Sequence, residues 1–345
     1  MEEVETALCL MDEYCENNLF YLPEEAFASE MMNDVKALMI AQFGTISDEV
    51  LARSMVLCPC SRTSYICPNI EDIEERVIKL QNKALPDQRS IEWYTHRHSL
   101  LTASVAFKAL GTPAKLRELV KAKKAPVAIY TNTSIEGPMH WGVKYEPVSI
   151  LYYDHTFKTK VGEFGCITHN THQFIGASPD GINIDPKSHL YGRMLEVKNP
   201  YSRIINGIPK KEYWIQCQLQ MEVCDLDACD FLETGFSEYE TYETFIKDGT
   251  FQTTNDGHYK GIILHFYSTK VDYEYAPFNC NEKEYEVWKE KMMTVPDRYW
   301  VTTLYWKLHT ISNVLIRRNK EWFESVLPQL KHAHNLCSEK SECAC

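Results

Sequence analysis

The chain has 345 residues, 44% of them hydrophobic and 24% charged, which suits one large folded domain or a core with an added lobe; no apolar run approaches the roughly 20 residues of a membrane helix. Its formal net charge of −12, from 36 basic and 48 acidic residues, argues against a protein that coats DNA non-specifically but not against an enzyme that confines DNA to one basic channel. Thirteen cysteines behind an acidic start (Glu2, Glu3, Glu5) predict free thiols in a reducing, cytoplasmic setting.

Residues 1 to 90 predict a helical N-terminal extension. Phe27, Met31, Val35, Leu38 and Met39 recur near a 3.6-residue period between Glu25 and Phe43. Ser47-Asp48-Glu49 starts a short helix through Met55. Cys58-Pro59-Cys60 and Cys67-Pro68 interrupt the pattern; three thiolates at a spacing unlike a zinc knuckle read as free thiols. A further amphipathic helix, Ile70 to Lys83, stops at Leu85-Pro86.

Ile91 to Ser104 then places aromatic residues before Arg97 and ends in Thr102-Ala103-Ser104 at a helix start. Free N–H groups there make an anion site, and Arg97 adds a bidentate phosphate contact; simple capping beside a surface arginine is the plainer reading. Lys115, Arg117, Lys121, Lys123 and Lys124 form a basic run, either an ordinary solvated helix face or a DNA-tracking surface. A helix from near Pro138 to Phe157 carries Glu146, with Pro147 predicting a kink or a late start.

Val161 to His169 and Gln173 to Ala177 read as a hairpin leading into the tight turn Ser178-Pro179-Asp180-Gly181. After a second turn at Asp185-Pro186-Lys187-Ser188 the chain is extended from Met194 to Asn199. Strand alternation puts Glu196 and Lys198 on one face and Leu195 and Val197 on the other. Asp180, Glu196 and Lys198 thereby converge, and two carboxylates in a half-buried cleft are usually answered by a divalent metal. A helix from Pro209 to Cys224 carries Gln216 and Gln220 on one side and Gln218 opposite. Strands at Ala228–Phe236 and Gly261–Tyr267 follow, separated by an acidic, aromatic insertion. Glu282–Met293 and Tyr299 to about Leu330 read as helices, so residues 276–345 are expected to form a helical region after a core at 91–275.

Asp180 followed by Glu196-Val197-Lys198 resembles the PD-(D/E)xK nuclease signature. Together with Arg97 and Thr102-Ala103-Ser104, Gly142 and Glu146, and Gln216-x-Gln218, in that order, it resembles the lambda-exonuclease/YqaJ family of recombination nucleases across roughly residues 90 to 270. The length and N-terminal extension are similar to the version encoded by large cytoplasmic DNA viruses, which implies action at sites of viral DNA replication. The resemblance implies a restriction-endonuclease-like α/β core: a central mixed sheet flanked by helices. It also implies a 5′→3′ exonuclease that acts on linear double-stranded DNA ends and leaves 3′ single strands for recombination, repair or replication.

By the same resemblance Asp180, Glu196 and the Val197 carbonyl ligate Mg²⁺ or Mn²⁺, and Glu146 serves a second ion. Lys198 orients or helps deprotonate the attacking water, and Gln218, or less closely Gln220, packs over the site. Arg97, Thr102, Ser104 and Ser178 hold phosphates, with Arg97 at the 5′ end. The partners implied are duplex DNA ends, a single-strand annealing protein and further copies of the chain in a ring, with no membrane. An endonuclease of the same fold would carry the same acids without needing Arg97. A binding module on a nuclease scaffold would tend to lose one member of the acid–acid–lysine set.

Overall fold

The computed structural model describes residues 27–48, 50–51, 70–86, 90–127, 137–207 and 209–338, with isolated positions between 3 and 14. In chain order the elements are α1 (Phe27–Phe43), α2 (Ile70–Gln81), α3 (Ile91–Ser99), β1 (Leu101–Thr102), α4 (Ala103–Ala109), α5 (Pro113–Lys124) and α6 (Pro138–Phe157). Then come β2 (Val161–Gly162), β3 (Ile167–Thr168), β4 (Ile175–Ala177), β5 (Gly181–Asn183), β6 (Met194–Lys198), α7 (Lys211–Cys224) and β7 (Ala228–Tyr239). The chain closes with α8 (Tyr242–Lys247), β8 (Tyr259–Tyr267), β9 (Val271–Tyr275), α9 (Glu282–Met293), β10 (Tyr299–Arg317) and α10 (Lys320–Ser338).

The strands form a three-stranded sheet, β1-β4-β3, and a curled seven-stranded sheet, β2-β5-β6-β7-β10-β8-β9. In the large sheet β6 and β7 are parallel, and every other neighbour is antiparallel. Alternation along these strands feeds two cores. Met194, Cys229 and Phe231 pack with Ile215 and Leu219 of α7, while Leu195, Val197, Leu232 and Phe236 pack with Tyr145 and Val148 of α6. The sheet is thus sandwiched between α6 and α7, giving the expected mixed α/β architecture.

Helix α6 begins at Pro138 and runs on through Pro147, so the late start does not occur. A proline inside a helix costs about 3 kcal/mol; here the buried face that includes Tyr145, Val148, Tyr152 and Tyr153 offsets it. The expected strand at Val161 to His169 divides: β2 joins the large sheet through β5, and β3 joins the small one through β4.

The C-terminal expectation is corrected. Residues 299–317, read above as helix, are a 19-residue strand between β7 and β8. Register shifts at Trp300/Thr302 and Leu308/Thr310 break its alternation, so no clean two-residue period appears in the sequence. Residues 276–345 are therefore not a helical appendage, because β10 runs through the middle of the sheet. The core also reaches back before residue 91. Val77 and Leu80 of α2 join the α7 core, and Met31, Val35 and Met39 of α1 pack with Leu51 on Leu315 of β10. The predicted helix end at Met55, the Cys58, Cys60 and Cys67 thiols, and Cys343 and Cys345 lie outside the described residues.

One charged knot ties β10 back to α7. Arg318 donates to Glu222 and Asp225, each at 2.7 Å, and Arg76 donates to Asp227 at 3.0 Å. Burial pushes the Glu222 pKa up, but the Arg318 hydrogen bond and charge, with His169 Nε2 3.7 Å away, outweigh it and bring the carboxyl from its ordinary 4.5 down to about 2. A depressed folded-state pKa contributes stability that is fully present above 4.5 and lost as pH falls toward 2. Arg318→Met should therefore cost about 1–2 kcal/mol at neutral pH, since it strips the partly buried Glu222 and the half-exposed Asp225 of their cation, and should flatten this acid dependence. Urea unfolding of both proteins from pH 6 to 3 measures it; identical slopes would dismiss the knot as inert.

Candidate active site

The floor of the site follows from the pairing of β5 with β6. Gly181 sits opposite Leu195, which brings the preceding Asp180 beside the β6 backbone, where Asp180 Oδ2 accepts the Val197 N–H at 2.7 Å. Position 181 needs glycine because β2 crosses it closely: a Cβ there would lie 2.0 Å from Val161 Cγ1. With Leu195 and Val197 committed to the α6 core, Glu196 and Lys198 face α7.

The Glu196 carboxylate is fully buried and answered on both oxygens. Oε1 accepts from Lys198 Nζ and, at 2.6 Å, from Gln216 Nε2, while Oε2 accepts from Gln220 Nε2 at 2.6 Å. Asp180 has less help. Burial raises its pKa most, followed by the charges of Glu196 and Glu146, and together they hold it well above the usual carboxylate range. Burial pulls the Lys198 ammonium down, but Glu196 and Asp180 outweigh it and the net shift is upward. The Lys198 ammonium is fixed in place by its hydrogen bond to Glu196.

The rim is built by α3. Ser90 caps its N-terminus by accepting the Trp93 N–H, and Arg97 lies over the Trp93 ring, 4.4 Å from the centroid. Arg97 Nη1 donates to Ser178 Oγ at 2.7 Å and Nη2 to Ser104 Oγ at 3.3 Å, with Thr102 Oγ1 3.4 Å from Ser104 Oγ. Burial draws the Arg97 pKa down, opposed by Asp180 and Glu196 among others. Lys123, one of the predicted basic run, turns inward and donates to the carbonyls of Arg97, His98 and Leu100 at 2.9, 3.0 and 2.6 Å. A cavity of about 230 Å³ is lined by Glu146 from α6, by Asp180, Glu196, Lys198, Gln216 and Gln220, and by Trp93, Arg97, Thr102, Ser104 and Ser178.

One assignment changes. Gln218 does not reach the site: Nε2 donates to the Arg317 carbonyl at 2.6 Å and Oε1 accepts the Asn319 N–H at 2.7 Å. Helical geometry turns position 218 away from 216 and 220, so Gln218 fastens the end of β10 while its neighbours two residues on either side hold Glu196. The i, i+4 spacing that groups Gln216 with Gln220 was the available signal.

The donor chemistry fits a hard divalent cation. Glu146, Asp180 and Glu196 line one cavity, and the charges of the other two raise the Asp180 pKa. Among the described residues, however, no three acidic, imidazole or thiol groups stand ready around one point. Lys198, Gln216 and Gln220 occupy three of the roughly four lone-pair positions of Glu196, so a cation would share this carboxylate with them.

The central mixed sheet with helices packed on both faces is a mixed α/β domain. Residues 92–235 match the YqaJ-like viral recombinase domain. An uncharacterized protein of Acanthamoeba polyphaga mimivirus is 31% identical over 293 residues, which are 71% of this chain and 51% of that protein. The chain thus spans about half the length of that relative. The alkaline exonuclease of Laribacter hongkongensis aligns with a TM-score of 0.41 at 18% identity, covering 72% of this chain and 92% of that one. A phage-related exonuclease from Haemophilus somnus gives 0.36 at 14% identity, covering 71% and 96%.

Two substitutions separate the glutamines and test the charge crowding. Gln218→Ala should cost about 1 kcal/mol of stability, because the Arg317 carbonyl and the Asn319 N–H lose their partner, without altering the cavity. Asp180→Asn keeps the shape, still accepts from Val197 and removes one of three repelling carboxylates. It should raise the thermal midpoint of the metal-free protein, and a fall would contradict the crowding described above.

Proposed function

We propose that the protein is a metal-dependent 5′→3′ exonuclease that engages linear duplex DNA at a 5′-phosphorylated end and leaves a 3′ single strand. The observation that carries this reading is the meeting, in one cavity, of the Glu146–Asp180–Glu196 carboxylates and Lys198 with an arginine already braced on two serines. A nuclease needs the first group at the scissile phosphate. Only an enzyme that begins at a DNA end needs the second for a terminal phosphate.

Asp180, Glu196 and the Val197 carbonyl are the ligands for Mg²⁺ or Mn²⁺, with Glu146 serving a second ion; these hard oxygen donors favour such cations over zinc. A divalent cation held there supplies charge to the phosphate and lowers the pKa of a bound water. The chain's own residues do the rest. Lys198 sets positive charge where the pentavalent phosphate becomes more negative. Gln216 and Gln220 fix the orientation of Glu196, a preorganisation that costs nothing at the moment of reaction. Arg97 binds the terminal phosphate through its planar fork, with Ser104, Ser178 and Thr102 adding hydroxyls and Trp93 holding the guanidinium plane.

Linear duplexes with 5′-phosphate or 5′-hydroxyl ends and a closed circle, incubated with Mg²⁺ or EDTA, test the reading. Shortening of the phosphorylated duplex only with Mg²⁺, and an intact circle, are expected. Nicking of the circle would indicate an endonuclease instead, and no metal-dependent cleavage would end the enzyme reading. Asp180→Ala should reduce the rate at least a thousandfold, about 4 kcal/mol of barrier. Arg97→Ala should erase the preference for 5′-phosphate ends; an unchanged preference would remove Arg97 from that role.

A further inference from the structure

We infer that Tyr201, set against Trp141, forms a stacking platform for an unpaired nucleobase next to the scissile phosphate, with Arg203 and Lys210 taking the neighbouring backbone phosphates. This deepens the nuclease reading and rests on it.

The loop between β6 and α7 begins where the catalytic strand ends. Its root is fixed, since Asn199 Nδ2 donates to Ser149 Oγ at 2.7 Å and to Thr234 Oγ1 at 2.6 Å, all three being buried. Just beyond this anchor the chain exposes apolar side chains that the core does not use. Tyr201 is 57% exposed and Ile204 84%. Tyr201 meets the Trp141 ring edge-on at 5.2 Å, and Trp141 in turn lies 4.5 Å from Tyr145 and beneath the Lys144 ammonium at 4.8 Å. The tyrosine is thereby braced from below while much of its surface stays open to solvent.

The pair is close to the chemistry. Trp141 precedes Glu146 by five residues on α6, about 7.5 Å along the helix axis. Tyr201 follows Lys198 by three residues, at most about 11 Å of extended chain. The same neighbourhood gathers cations in a protein of net charge −12. Lys198, Arg203 and Lys210 all lie over the Tyr213 ring, at 5.4, 5.8 and 5.9 Å, and Arg203 is held by the buried Glu233 carboxylate.

An open aromatic side chain in a loop that begins at Lys198 and carries Arg203 and Lys210 further along suits the alternation of base and phosphate along a single strand. An apolar protein partner would desolvate the Lys210 ammonium and the Lys198–Glu196 and Arg203–Glu233 pairs without adding a charge to them. Bases inside a duplex already stack on each other and offer no free face, so the occupant is unpaired.

The test uses the full chain carrying Asp180→Asn to block cleavage, with 2-aminopurine placed either in a single-stranded oligonucleotide or within a paired duplex. Binding of the single strand should quench its fluorescence. Adding Tyr201→Ala should abolish the quench and weaken binding about fivefold or more, Tyr201→Phe should restore both, and Arg203→Gln should weaken binding while keeping the quench. Equal quenching by Tyr201→Ala, or stronger quenching with the paired duplex, overturns the platform; if the wild-type chain still cleaves DNA, the nuclease reading survives. Absence of metal-dependent cleavage by the wild type overturns the nuclease reading, and with it the platform's place beside a scissile phosphate.

Discussion

The buried Glu196 carboxylate is the interaction on which the rest of the site depends. A carboxylate with no solvent exposure is costly to hold charged, and three donors from two elements answer it: Lys198 on its own strand, and Gln216 and Gln220 on α7. To place those glutamines, α7 must lie against the sheet, which requires Met194, Cys229 and Phe231 to be apolar on that face. To place Glu196 beside Asp180, β5 and β6 must pair in their observed register, which Gly181 permits by letting β2 pass. Polar satisfaction, helix docking and strand register are therefore one constraint seen from three sides.

The arrangement keeps Lys198 charged and leaves Asp180 crowded by two other acids, an imbalance that a well-packed structural cluster would not retain. Such crowding is common where binding rather than stability has been selected. On the rim, Lys123 spends its ammonium on three carbonyls at the end of α3, including that of Arg97. One residue of a run that looks like a nucleic-acid surface is thus spent on holding the arginine's helix in place.

Much of this was legible in the sequence because it is local. The turn at Ser178–Gly181, the alternation that puts Glu196 and Lys198 on one face, and the helix carrying Glu146 all follow from short-range periodicity. Gln218 was misplaced because family resemblance was followed over helical geometry, which had already separated it from Gln216 and Gln220. Strand β10 was missed for a different reason. Two bulges disrupt its alternation, its aromatic residues also fit a helical spacing, and its partners β7 and β8 are distant in sequence. Propensity carries no information about such long-range pairing.

The central place of β10 has a consequence for how the chain reaches its folded state. The family-matched segment, residues 92–235, ends within β7, and one whole flank of that strand is hydrogen-bonded to residues 305–317. During synthesis the strands that carry Asp180 and Glu196 are made before the strand that covers the open flank of β7. An exposed, largely apolar edge is a template for pairing with other chains. Phe231 opposite Val314 and Leu232 opposite Asn313 mark where that edge is finally closed. The matched segment thus leaves β7 with an unpaired flank that residues 305–317 supply, and the sheet that carries Asp180 and Glu196 is completed by the strand furthest along the chain.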